Sequence, residues 1–122
     1  MAAPNIVEVA SIIGKSAGFA LTTSALALVN NPASSGKVLR VVSLYISNVD
    51  GVNAANVTVN VYSQDDIGGT PYALASVITV PAKSTLVLVE GSPVYLEEDR
   101  SLGALASAVG DLVAHVSWEE IS

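Results

Sequence analysis

The chain has no cysteine and a single histidine. Without thiols there is no disulfide framework, no thiolate metal site and no cysteine nucleophile, so any extra stability must come from packing or association. One imidazole cannot build a zinc site, which usually takes several His or Cys ligands. Charge is scarce as well: charged residues make up 13% of the 122 residues and hydrophobic ones 51%, where a typical domain carries about a quarter charged. This balance opposes disorder and supplies little like-charge repulsion, so much of the surface is expected to face another protein. Basic residues are scarcer than acidic ones. Five Lys and Arg against eleven Asp and Glu leave a net charge of -6, and the basic stripe that nucleic-acid binding needs is missing, so no nucleic acid is expected as a partner. Aromatics amount to 5%, one Trp, one Phe and four Tyr, too few for the stacked platform of a sugar-binding face.

No apolar run approaches the roughly 18 residues a membrane helix requires, because Thr, Ser, Asn, Gly or a charge interrupts each one. No membrane association is expected. The stretch from Phe19 to Val29 invites a signal-peptide reading, but Glu8 and only one base, Lys15, precede it, and it contains Thr22, Thr23 and Ser24; it is read as mature chain.

From Lys37 onward, apolar runs alternate with Gly, Pro, Asp and Asn clusters at the spacing of a sandwich or barrel. Val57, Val59 and Val61 alternate with Asn56, Thr58 and Asn60, a half-buried strand over 55–63. The Asp50-Gly51 pair before it reads as a tight turn, making strand 37–47 its neighbour. Strand 37–47 carries Val38, Val42, Leu44 and Ile46 on one face and Leu39, Val41 and Tyr45 on the other, which predicts a central position. Further strands are expected over 72–80, 85–90 and 94–96, with Gly91-Ser-Pro93 as a turn between the last two. A terminal hairpin of 102–108 and 112–121 follows, with Leu112, Ala114, Val116 and Trp118 on its core face. Residues 1–36 read as one or two edge strands led by an arm over 2–13. The expected fold is all-β, an antiparallel β-sandwich, jelly-roll-like, of about eight strands. It forms a single domain, with 1–36 as arm and edge strands and 37–122 as the sandwich core.

Sites for chemistry are sparse. Gly14-Lys15-Ser16 ends like a phosphate loop, but that pattern needs a Gly where Val9 stands. His115 lies two residues from Ser117 on one strand face, with no Gly-x-Ser-x-Gly elbow, and reads as a surface or interface imidazole. Asp65-Asp66 and Glu97-Glu98-Asp99 lack the ligand spacing of a calcium loop and read as solvated acidic turns, with Arg100 able to pair with one carboxylate. No catalytic, cofactor-binding or metal residue is assigned, and no cofactor is expected. The outward face of the terminal hairpin and of strand 37–47 is unusually apolar at Leu105, Val113 and Tyr45. With Phe19 and Tyr62 these form the candidate protein-interface residues.

The segments Leu44-Tyr-Ile-Ser-Asn-Val-Asp-Gly51, Asn56-Val-Thr-Val-Asn-Val-Tyr62, Val80-Pro-Ala-Lys-Ser-Thr-Leu-Val-Leu88, Tyr95-Leu-Glu-Glu-Asp-Arg-Ser-Leu102 and Val116-Ser-Trp-Glu-Glu-Ile-Ser122 resemble, in that order, the small β-sandwich virion structural proteins of tailed phages, especially those of cyanobacteria and other marine bacteria. The resemblance covers roughly residues 38–122, with Asn5-Ile-Val and Ile12-Ile-Gly-Lys15 also similar. Relatives often have a basic or polar residue after Ser-Leu in the penultimate strand, where this chain has Gly103. The resemblance implies a non-enzymatic virion protein made in the host cytoplasm. It implies foremost a capsid decoration or cement protein on the major capsid protein lattice that stabilises the head. Self-association is implied too, a trimer being one form it could take. A tail, collar or baseplate component is the alternative, and a host-surface glycan-binding module a more distant one.

Overall fold

The structure, a computed structural model, describes residues 11–122, so residues 2–10 of the expected arm lie outside the described residues. The eight strands are β1 (Ile12–Ala20), β2 (Leu26–Asn31), β3 (Val38–Asn48), β4 (Ala55–Tyr62), β5 (Pro71–Val80), β6 (Thr85–Leu96), β7 (Arg100–Ala106) and β8 (Leu112–Ile121). They form two four-stranded sheets, ordered β1-β8-β3-β6 and β2-β7-β4-β5, with every pairing antiparallel. The expected all-β sandwich is the fold. First pairs with last, second with seventh, third with sixth and fourth with fifth, as when one long hairpin is wound up and its halves are laid face to face.

That winding overturns two expected neighbours. Strands β3 and β4 lie in opposite sheets, and so do β7 and β8; only β4 and β5 are joined consecutively within one sheet. A two-residue turn holds strands about 4.8 Å apart, whereas links 49–54 and 107–111 are long enough to cross the roughly 10 Å between sheets. Asp50-Gly51 is not a positive-φ turn. Instead the Asp50 carboxylate accepts the backbone N–H groups of Val52 at 2.7 Å and Asn53 at 3.1 Å, an Asx-type cap that steers the chain over the edge.

Strand β3 is central, as its two apolar faces predict, but the assignment of those faces needs correction. Val41 stands opposite Trp118 and Ser43 opposite Ser117, so β3 spends two residues where β8 spends one. This bulge at Val42 resets the alternation and turns Leu39, Val41, Leu44 and Ile46 all inward. Likewise 85–90 and 94–96 are not separate strands. Gly91-Ser-Pro93 is a bulge in the continuous β6, with Gly91 at φ 77°.

Between the sheets, Leu44, Ile46, Val57, Val59, Leu102 and Leu112 are at 0% exposure. Two buried asparagines tie the sheets together. Asn31 of β2 donates from Nδ2 to the carbonyls of Lys37 and Leu96, both at 3.0 Å. Asn48 of β3 donates to those of Asn53 at 3.0 Å and Val80 at 2.9 Å, while its Oδ1 accepts Asp50 N–H. Each satisfies carbonyls that the crossings would otherwise orphan, which is why a polar residue is stable at these depths.

Candidate interaction surface

Directly opposed residues in an antiparallel pair share a face, so register alone assembles the outer surface of the β1-β8-β3-β6 sheet. One row runs Gly18, His115, Tyr45, Val87. Beside it lie Ala20, Val113, Ser47, Thr85 on one side and Ser16, Ser117, Ser43, Glu90 on the other. The small side chains of β1 leave an open trough of about 460 Å³ whose lining includes Ser16, Gly18, Tyr45, His115 and Ser117. Gly18 hollows it, since a Cβ there would stand 3.4 Å from His115 Nδ1.

The trough lacks the parts of a hydrolytic site. His115 faces Gly18 and Tyr45, and its diagonal neighbours are Ser16, Ala20, Ser43 and Ser47. No carboxylate stands in any of those positions to orient the imidazole as a triad requires. Among the described residues no group of three His, Cys, Asp or Glu could hold a metal. What the face offers is an open trough of hydroxyls, small residues and two rings, bordered by Val87, Val113 and Glu90.

Toward the other end of the same sheet charges appear in pairs. Arg40 Nη1 donates to Glu119 Oε1 at 2.8 Å. Lys37 and Lys15 both reach Glu120, at 3.0 and 3.1 Å. Burial pushes the Glu120 carboxyl up, but the hydrogen bonds and charges of Lys37 and Lys15 outweigh it and hold its pKa below the usual glutamate value.

The acidic turns are brought together at one end of the sandwich, where they bind backbone. Asp65 Oδ2 accepts Ala33 N–H at 3.1 Å, Asp99 Oδ1 accepts Asp65 N–H at 3.0 Å, and Glu98 Oε2 accepts Gly36 N–H at 3.3 Å. Arg100 does not pair with a carboxylate as expected. Its Nη1 donates to the carbonyls of Ser63 and Asp99, both at 2.9 Å, because the crossing chains present unpaired carbonyls there.

The candidate interface residues fall into separate places. Tyr45 and Val113 share the outer face described above. Leu105 does not join them: β7 belongs to the other sheet, where Leu105 stands opposite Thr58. Phe19 points from β1 toward the core, opposite Ala114, and packs against it half-buried. Tyr62 is 7% exposed and lies over Gly103, where a Cβ would come 3.0 Å from its Cε2.

Several exposed apolar residues were missed. Edge strand β5 exposes Tyr72, Leu74, Val77 and Ile78, and the loops of one end expose Val49, Val52 and Val109. The signal in β5 was its freedom from charge over Pro71–Val80; its exposure on both faces depends on its place at a sheet edge. Nothing local marks the loop valines.

No family model matches the chain, and no curated protein matches it by sequence. Among solved structures, the fold is similar to a chain of the acid-stable capsid of Helicobacter pylori bacteriophage KHP30, with 14% identity and a TM-score of 0.52, covering 93% of this chain and 90% of that one. It is also similar to a chain of Bacillus endospore appendages, described as disulfide-linked pili, with 14% identity and a TM-score of 0.50, covering 91% of this chain and 87% of that one. At this identity the likeness is one of fold, and it extends over nearly the full length of each chain.

Proposed function

We propose that the chain is a non-enzymatic structural subunit of a phage particle, foremost a decoration or cement protein seated on the major capsid protein lattice. The observation that carries this reading is the shared sandwich, which spans nearly the whole of a chain in a phage capsid structure. The winding of first strand against last and second against seventh supports a jelly-roll reading of the sandwich, an architecture that viral capsid domains share with lectins and other proteins. The charge-poor surface, with apolar side chains exposed on strand β5 and on the loops of one end, also suits a protein buried among neighbours rather than a free monomer. Many modest contacts repeated across a lattice add through multivalency, with no need for turnover or a cofactor.

Quantitative mass spectrometry of purified particles tests this reading. Hundreds of copies, in proportion to the major capsid protein, are expected. A few to a few dozen copies would move the chain to the tail, collar or baseplate, and absence from the particle would end the virion reading.

A further inference from the structure

Each sheet has two edges, and three of the four edge strands are irregular. Strand β2 has only six residues and shifts register between Ala27 and Val29. Strand β5 shifts twice against β4, with Val77 at φ 52° donating its N–H to Thr58 Oγ1. Strand β6 is bulged and carries Glu90 and Pro93. Bulges, charges, prolines and shortness are the devices that stop an edge from accepting another strand. Strand β1 has none of these except Lys15. It holds unbroken register with β8 over all nine residues, and the Lys15 ammonium is turned back onto Glu120 at 3.1 Å. Its other edge pairs with nothing among the described strands.

The order of residues along β1 indicates what fits there. Read outward from Ser16 in both directions, Ile-Ile-Gly-Lys-Ser-Ala-Gly-Phe-Ala is nearly symmetric by class. Antiparallel pairing with a second copy about a two-fold axis at Ser16 would set Gly14 against Gly18, Ile13 against Phe19 and Ile12 against Ala20, with Lys15 facing Ala17 rather than another lysine. Ile13 and Phe19 both point to the core side of the sheet, opposite Glu120 and Ala114, while Ile12 and Ala20 point outward, opposite Ile121 and Val113. The pairs therefore match in face as well as in chemistry. Ile12 and Ile13, at 60% and 51% exposure, gain cover. Strand β1 also contains no carboxylate, so two copies of an acidic chain meet here without opposing like charges.

We propose that a second copy of this chain docks on β1 by isologous antiparallel strand addition centred on Ser16, joining two four-stranded sheets into one. This does not depend on the virion role, so a particle without the chain would leave it standing.

The test uses the full chain, in sedimentation velocity over a concentration series. Ser16 is exposed and faces itself across the axis, so Ser16→Asp and Ser16→Lys each place like charges in direct opposition and should weaken self-association by roughly tenfold or more. An equimolar mixture of the two variants should restore it, because aspartate then faces lysine. A wild-type chain that stays monomeric at every concentration overturns the proposal and points to another occupant of this edge. Single variants that associate like wild type, or a mixture that fails to recover, overturn it equally.

Discussion

Gly103 lies in β7, buried on the outer side of its sheet beneath Tyr62 and Ile67. A Cβ there would meet Ile67 Cγ2 at 2.8 Å, the Leu26 carbonyl oxygen at 3.0 Å and Tyr62 Cε2 at 3.0 Å. Ile67 sits in a loop and could give way. The Leu26 carbonyl belongs to β2, held against β7 by strand pairing, and cannot retreat without disturbing it. Gly103→Ala therefore has two opposing parts. Overpacking a filled site costs about 1–3 kcal/mol, while replacing a strand glycine by alanine returns about 0.5–1 kcal/mol of backbone entropy. The net expectation is a loss of about 0–2.5 kcal/mol, centred near ~1 kcal/mol, which at ~4 °C per kcal/mol for a chain of this size lowers Tm by up to roughly 10 °C. Adding Ile67→Ala removes one of the three contacts, so the double variant should lose less than the sum of the single losses. Thermal and urea unfolding of the four proteins measure this. Because entropy alone would make Gly103→Ala stabilising by about 0.5–1 kcal/mol, a variant more stable than wild type refutes the packing argument.

Two further outcomes follow from polar groups at the opposite end of the sandwich. Asn48→Ala removes the donor to the Asn53 and Val80 carbonyls and the acceptor of Asp50 N–H; urea unfolding should show a loss of about 2–4 kcal/mol, and a loss below about 0.5 kcal/mol would mean that water or neighbours replace those bonds. For Asp111, burial, then the charge of Asp50 and the hydrogen bond to it, raise the pKa above the ordinary aspartate value of 3.8. An acid whose folded pKa is raised favours folding while protonated and loses that contribution as pH rises through the folded value. Asp111→Asn should accordingly have a higher Tm than wild type at pH 7, with the gap narrowing as pH falls toward 4, and a lower Tm at pH 7 would contradict this.

Much of the fold is legible in local sequence, because strand formation is a local matter. Val57 and Val59 face the core on the strand their alternation predicts, and strand 37–47 is central as its two apolar faces imply. The errors begin where a local pattern meets a distant constraint. A bulge at Val42 reverses the alternation of β3 and depends on its pairing with β8, far along the chain. Asp50-Gly51 and Val109-Gly110-Asp111 do reverse the chain, but a turn signal does not say whether the next strand lies beside the last or across the core from it. That one ambiguity placed Leu105 beside Val113 and Tyr45, when β7 and β8 lie in different sheets.

The sequence by itself determined the absence of thiols, the excess of acidic over basic residues and the all-β class, since each depends on counts and short-range periodicity. Only the tertiary structure decided which strands are neighbours, which strands become edges and which apolar residues stay uncovered. Asn31 and Asn48 show the difference: in the sequence each is a turn-former after an apolar run, and in the sandwich each is a buried donor holding two sheets together. The reason is physical. A residue's secondary structure depends mainly on its near neighbours, whereas its burial and partners depend on pairings between strands as distant in sequence as β1 and β8.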